Sequence, residues 1–236
     1  MDKRKNRARK IIVVLAILII VLFGSFYIYT LDYYRADEYA NQIFATVATN
    51  VQETDMTVIY PDKQTGSKVG LIFYPGGKVE ASAYLPLLEK ISKEGITCIL
   101  LKMPFNLAVF DVDAADKVYD KFPDIEKWYL GGHSLGGAMA SSYVGKNSEK
   151  LDGLILLGAY PVNNAELPTI AIYGSEDEGL DKTKLEGIEN RLEIIGGNHA
   201  YFGNYGEQKG DGVAAITREE QQEQTVVAII EFVRSN

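Results

Sequence analysis

The sequence predicts a mainly parallel β-sheet with helices on both faces, preceded by one transmembrane helix. Three observations carry this. From about residue 55 onward, short β-rich apolar runs alternate with helical patterns, the signature of a parallel sheet with crossover helices. Residues 11–31 contain no charged side chain. A length of 236 residues suits one medium domain plus an appendage, at about 150 residues per domain.

The appendage comes first. Residues 1–10 form a basic tail, with Lys3, Arg4, Lys5, Arg7, Arg9 and Lys10 against Asp2 alone. At about 1.5 Å per residue, the apolar stretch 11–31 reaches roughly 31 Å, the thickness of a hydrocarbon core. The basic cluster before it and the tyrosines and acids after it (Tyr27, Tyr29, Tyr33, Tyr34, Asp32, Asp37, Glu38) orient it by the positive-inside rule. The amino terminus is expected in the cytoplasm and the rest outside, so residues 11–31 act as a signal anchor in the lipid bilayer of the cell membrane. A cleaved signal peptide, the competing reading, would have a shorter apolar run and a small-x-small site. Residues 32–54 follow as a juxtamembrane helix, in which Tyr39, Ile43, Val47 and Val51 recur every fourth residue. That stripe fits packing on the next domain, or a dimerising stalk.

Residues 55–236 form the main domain. Its expected strands cover residues 56–60, 69–74, 96–101, 128–131, 153–157, 169–173 and 192–195. Helices are expected at 82–94, 113–121, 135–146 and 218–234, with Asp111 or Asp113 capping the second and Gly95 closing the first. In open sheets of this kind ligands bind at the carboxyl ends of the strands.

Charge and composition remove several function classes. The tail holds six bases and one acid, a charge of +5, so the −8 of the whole chain becomes −13 for the remainder. Such a body repels phosphate backbones, and no nucleic-acid partner is expected. One cysteine and two histidines cannot build a disulfide framework or a His/Cys zinc site. Cys98, inside the run Ile96-Thr97-Cys98-Ile99-Leu100-Leu101, reads as a buried and inert thiol. Asp111-Val112-Asp113 lacks the glycine and glutamate of a calcium loop. No metal and no cofactor are expected.

Chemistry concentrates after three strands. Gly131-Gly132-His133-Ser134-Leu135-Gly136-Gly137 follows Trp128-Tyr129-Leu130 and precedes a small-residue helix. It contains G-x-S-x-G, a sharp strand-to-helix turn that exposes the serine Oγ, with glycines where helix and strand approach closely. The bare pattern is weak; the strand before and the helix after give it content. Ser134 is the expected nucleophile, and it needs a general base oriented by a carboxylate. His133, next to the serine, points away from its reaction path, so His199 in Gly196-Gly197-Asn198-His199-Ala200-Tyr201 is left as the base. Asp177, in Gly174-Ser175-Glu176-Asp177-Glu178-Gly179, is the expected carboxylate, with Glu176 and Glu178 as neighbours able to displace it. Backbone amides for the oxyanion are expected from Leu135 and from the loop Pro75-Gly76-Gly77-Lys78, with Gly77 the first choice and Lys78 the second.

The order Ser134, Asp177, His199 resembles that of the α/β-hydrolase superfamily. The chain most resembles a compact bacterial branch related to dienelactone hydrolases, over roughly residues 55–235. The likeness rests on Phe73-Tyr74-Pro75-Gly76-Gly77-Lys78, Lys102-Met103-Pro104-Phe105-Asn106-Leu107, residues 131–137 and Gly197-Asn198-His199-Ala200-Tyr201-Phe202-Gly203. Residues 206–212 and Thr217-Arg218-Glu219-Glu220-Gln221 also match. The resemblance implies an α/β-hydrolase fold, serine-dependent hydrolysis through an acyl-enzyme, and no cofactor. Dienelactone hydrolases proper have cysteine where Ser134 stands, so their substrate does not carry over.

Only residues 158–167 separate two strands at the place where larger relatives insert a lid. Without one, an open, shallow site is expected, suited to a compact acyl group or to an ester on a cell-surface polymer. Tyr201, Phe202 and Tyr205 are candidates for an aromatic wall. The expected activity is cleavage of carboxylic esters outside the cytoplasm. The same site would also serve acyl transfer or thioester or amide hydrolysis, and a non-catalytic binding module of this fold is the reading from a different class.

Overall fold

The structure is a computed structural model that describes residues 2–47, 52–53, 55–61, 68–164 and 166–236. Val51 of the juxtamembrane stripe, and the end of the predicted 32–54 helix, lie outside them. By its contacts the chain forms two units, one ending at Tyr33 and the other Tyr34–Asn236. The first consists of helix α1, Asp2–Leu31. Its stretch Lys5–Leu31 is long and apolar enough to cross a membrane, and most of its large apolar side chains are exposed, Ile20 and Ile28 at 70% each.

The second unit opens with helix α2, Glu38–Val47, capped by Asp37, whose Oδ1 accepts from Ala40 N–H at 2.9 Å. Its sheet contains β1 Gln52–Glu53, β2 Met56–Ile59, β3 Val69–Tyr74, β4 Thr97–Leu101, β5 Lys127–His133, β6 Gly153–Leu157, β7 Thr169–Gly174 and β8 Asn190–Ile194. The order is β1-β2-β4-β3-β5-β6-β7-β8. From β4 to β8 every pairing is parallel, while β2 runs antiparallel to β4 and β1 antiparallel to β2.

Alternation along the strands builds two cores. In β3, Leu71 and Phe73 pack with Leu85, Leu88 and Ile91 of α3 (Leu85–Lys93) and with Ile229 and Phe232 of α5 (Arg218–Ser235). Ile72 and Tyr74 turn to the other face, to Ala140, Tyr143 and Val144 of α4 (Leu135–Asn147). Successive strand residues point to opposite faces, so a strand buried on both sides must be apolar at every position. Each fully buried Leu or Ile contributes about 1.5–3 kcal/mol. Cys98 is fully buried in the first core, and burial pushes its thiol pKa up, which keeps it an unreactive thiol.

Two helix expectations change. Residues 82–94 begin as a 3-10 turn, Ala81–Tyr84, before α3, whose first turn accepts Pro86 because no helical partner is lost there. Residues 113–121 do not form an α-helix but two 3-10 turns, Ala114–Lys117 and Tyr119–Lys121. The phenol of Tyr74 intervenes: its O–H donates to Val112 O at 2.8 Å and its oxygen accepts from Ala115 N–H at 2.9 Å. An α-helix would need that carbonyl for Asp116 N–H, which bonds Asp113 O instead at 3.0 Å. Asp113 caps nothing with its side chain, and Asp111 pairs with Lys117.

Among the described residues no helix interrupts the connection from β6 to β7. The carboxyl ends line up in register, with Tyr74 beside Gly132 and His133 beside Leu157. Gly174 likewise stands beside Ile194.

Candidate active site

Ser134 sits where β5 turns into α4, with φ 53° and ψ −122°. For a serine this is a strained conformation, held only where the surroundings over-determine it. Its N–H donates to Leu157 O at 2.9 Å, and its carbonyl accepts Ala138 N–H at 3.0 Å as the helix begins. The turn is tight enough to require glycine on the exit side: a Cβ on Gly136 would stand 2.3 Å from the carbonyl oxygens of both Tyr74 and Pro75.

Asp177 follows β7, and His199 follows β8. Asp177 is 2% exposed, its Oδ2 lies 2.7 Å from His199 Nδ1, and its Oδ1 accepts Gly179 N–H at 3.1 Å. A carboxylate only accepts, so a proton sits on Nδ1, and in the neutral ring Nε2 is then the nitrogen with the lone pair. This is the tautomer a general base for a serine hydroxyl needs. Glu176 instead accepts from the Ser175 hydroxyl at 2.8 Å. Gly158, at the end of β6, has φ 51° and leaves room for the pair; a Cβ there would come within 2.9 Å of His199 Nδ1.

The backbone of His199 is held from both sides. Asp211 accepts the N–H groups of His199 at 3.1 Å, Ala200 at 2.8 Å and Gly212 at 2.9 Å. Gln221 of α5 accepts Asn198 N–H at 3.0 Å and donates to Asn198 O at 2.8 Å. On the opposite side, His133 Nε2 lies 3.0 Å from His199 O. A carbonyl cannot donate, so His133 carries its proton on Nε2 and its Nδ1 accepts from Tyr84 O–H at 2.7 Å. The Tyr84 oxygen in turn accepts Gly76 N–H at 3.0 Å. Every polar atom in this chain has one possible direction. His133 is fully buried, and burial, then the neighbouring His199, holds its pKa well below the ordinary imidazole value.

That chain reaches the loop after β3. Gly76 N–H is used by Tyr84 and Lys78 N–H by Asn106 O at 2.7 Å. Gly77 N–H and Leu135 N–H have no hydrogen-bond partner among the described residues. The two residues adjoin, since a Cβ on Gly77 would meet Leu135 Cδ2 at 2.8 Å. Two unpaired amides beside a serine at a helix amino terminus can receive an oxyanion.

A cavity of 180 Å³ opens beside Ser134, lined among others by Gly77, Lys78, His133, Lys209 and Tyr34. The aromatic wall is therefore Tyr34 rather than Tyr201, Phe202 or Tyr205. Phe202 is buried on the His133 ring at 5.7 Å, Tyr205 packs against Tyr34 at 5.6 Å and Tyr84 at 6.4 Å, and Tyr201 lies under the Arg218 guanidinium. Sequence reasoning gave Tyr34, Tyr84, Asp211 and Gln221 no role in the site, although Asp211 and Gln221 lie in segments that carry the family resemblance. Only Asp211, between Gly210 and Gly212, carried a local signal.

The fold and these strand-end residues define a hydrolase of the parallel-sheet type. The model of the alpha/beta hydrolase family matches residues 70–223, and the chain belongs to that family. No curated protein sequence matches it. Among solved structures, Est1E from Butyrivibrio proteoclasticus is similar with a TM-score of 0.58 at 12% identity, over 76% of this chain and 94% of that one. Dienelactone hydrolase from Anabaena variabilis has a TM-score of 0.55 at 15% identity, over 76% and 90%. MenH from S. aureus has a TM-score of 0.55 at 13% identity, over 78% and 99%. At these identities the likeness is one of fold.

Proposed function

We propose that this protein is a membrane-anchored serine hydrolase that cleaves carboxylic esters outside the cytoplasm. The observation that carries the reading is the 2.7 Å contact of His199 Nδ1 with buried Asp177, together with a serine held at φ 53° where β5 turns into α4. Ser134 Oγ attacks the ester carbonyl carbon while its proton passes to His199 Nε2. Asp177 holds the imidazolium, and the amides of Leu135 and Gly77 receive the oxyanion. The C–O bond to the alcohol breaks as Nε2 returns the proton to the leaving oxygen. Water then attacks the acyl-Ser134 ester through the same base, releasing the carboxylic acid and restoring the serine.

Est1E has been solved with ferulic acid bound, and ferulic acid is a carboxylic acid, the kind of product such a step releases. The 180 Å³ cavity suits a small acyl group better than a long chain. Helix α1, with the basic cluster in its first turns, supports anchoring with the catalytic domain outside.

The test combines fluorophosphonate labelling with p-nitrophenyl acetate turnover. Ser134→Ala should abolish labelling and lower kcat by at least about 10⁴-fold. Full activity in that variant sinks the proposal. Added competing alcohols separate hydrolysis from acyl transfer by the products formed. Digestion of the domain by protease added to intact cells checks the orientation.

A further inference from the structure

The family match begins at residue 70, yet one wall of the Ser134 cavity is Tyr34. Its main chain pairs with the loop that presents Gly77. Tyr34 N–H donates to Lys78 O at 2.7 Å, and Tyr34 O accepts Glu80 N–H at 2.8 Å, a parallel bridge around Val79. The Glu80 carboxylate then accepts Ala36 N–H at 3.1 Å. On its other side the loop is held by Lys78 N–H on Asn106 O at 2.7 Å, and Val79 N–H closes the turn on Gly76 O at 3.2 Å.

These bonds have strain to hold. Lys78 has φ 59°, a left-handed conformation that is uncommon and strained for a side-chain-bearing residue. The conformation of Lys78 orients the peptide that follows Gly77, and the Tyr34 and Asn106 bonds grip that residue by its carbonyl and its amide.

The same stretch reaches the loop after His199. The Tyr34 phenol oxygen accepts Lys209 N–H at 3.1 Å, and Asp37 N–H donates to Asn204 O at 2.8 Å. Asp37 Oδ2 accepts from Asn204 Nδ2 at 3.0 Å and from Arg218 at 3.3 Å. Residues 34–37 therefore join the loop that offers the oxyanion amide to the loop that carries the base.

We propose that Tyr34 is a positioning residue for the Gly77 amide and that residues 34–37 are a strap completing the active site, outside the family-matched core. The inference rests on the ester-hydrolase reading. A donor displaced by about 1 Å costs on the order of 100-fold in rate, and an oxyanion donor acts on the transition state more than on the bound substrate.

The test uses the full chain in detergent. Tyr34→Pro removes the N–H that holds Lys78 O; kcat for p-nitrophenyl acetate should fall by about 10- to 100-fold with KM within roughly threefold, and fluorophosphonate labelling should slow by the same factor. Tyr34→Phe keeps the main-chain pairing and loses only the bond from Lys209 N–H, so its kcat should exceed that of Tyr34→Pro by at least about threefold, and equal losses in the two variants would overturn the main-chain role. A kcat within twofold of wild type in Tyr34→Pro overturns the proposal. If Tyr34→Pro does not fold, as read by thermal melting, Glu80→Ala decides. It releases Ala36 N–H alone and should lower kcat severalfold at unchanged KM, and an unchanged kcat there overturns the strap. Ser134-dependent turnover in the wild type keeps this outcome distinct from failure of the hydrolase reading; its absence overturns both.

Discussion

The Nε2–H of His133 donates to the carbonyl oxygen of His199 at 3.0 Å, so one of the chain's two histidines holds the main chain of the other. The role depends on His133 staying neutral, because its Nδ1 must accept from Tyr84.

This gives stability a pH dependence. Burial depresses the folded-state pKa of His133, whereas the unfolded chain takes the proton near the ordinary value of about 6.5. Stability is therefore intact above that value and is lost as pH falls below it toward the depressed folded pKa, by up to about 1.4 kcal/mol per pH unit. Urea unfolding between pH 7.5 and 5 measures the slope. His133→Asn should start less stable but lose stability less steeply, and equal slopes would contradict the assignment.

Asp177→Asn should separate orientation from charge. An amide presents either a donor or an acceptor to Nδ1, so the proton of the neutral His199 ring need no longer sit on Nδ1. We expect kcat to fall by on the order of 10³- to 10⁴-fold with small change in KM. Because the Oδ2 bond of Asp177 acts through His199, fluorophosphonate labelling should slow in parallel.

Gly158→Ala should damage the site from beneath. Its Cβ would crowd His199 Nδ1 at 2.9 Å and Asp177 Oδ2 at 3.3 Å, on a backbone at φ 51°. A fall of at least about tenfold in kcat is expected from the displaced imidazole, with a melting temperature lowered by the left-handed alanine. Wild-type kcat in this variant would show that the pair has room to spare.

Lys78 and Lys209 are the charged residues lining the Ser134 cavity, in a chain whose net charge is −8. Esters carrying a carboxylate, such as a p-nitrophenyl hemisuccinate, should be favoured in kcat/KM over neutral isosteres by roughly three- to tenfold at low salt. The preference should shrink in 0.5 M NaCl and in Lys209→Glu. A neutral ester preferred at low salt would refute it.

The strands were legible because a doubly covered sheet makes local demands. Leu71-Ile72-Phe73-Tyr74 is apolar throughout since both of its faces are buried, and the turn at Ser134 announces itself through glycines at fixed spacing. Asp177 and His199 stand out because each follows a strand, and the structure has them hydrogen-bonded. The 113–121 stretch misled because its helical pattern is local while the phenol that breaks it, Tyr74, comes from β3. Tyr34, Tyr84 and Gln221 were hidden for a related reason: Tyr34 and Gln221 act on main-chain groups far along the chain and Tyr84 on the distant His133 ring, and such contacts leave no spacing to read.

Tyr34 follows the last residue of α1, Leu31, by only three positions. The strap and the helix long and apolar enough to cross a membrane are thus consecutive pieces of one chain, and the point of any cut between them matters. A protease that sheds the domain ahead of Tyr34 releases a soluble form with its pocket wall intact. Cleavage a few residues later, beyond Asp37, releases one without it, so the cleavage position alone would separate a diffusible enzyme from an impaired one.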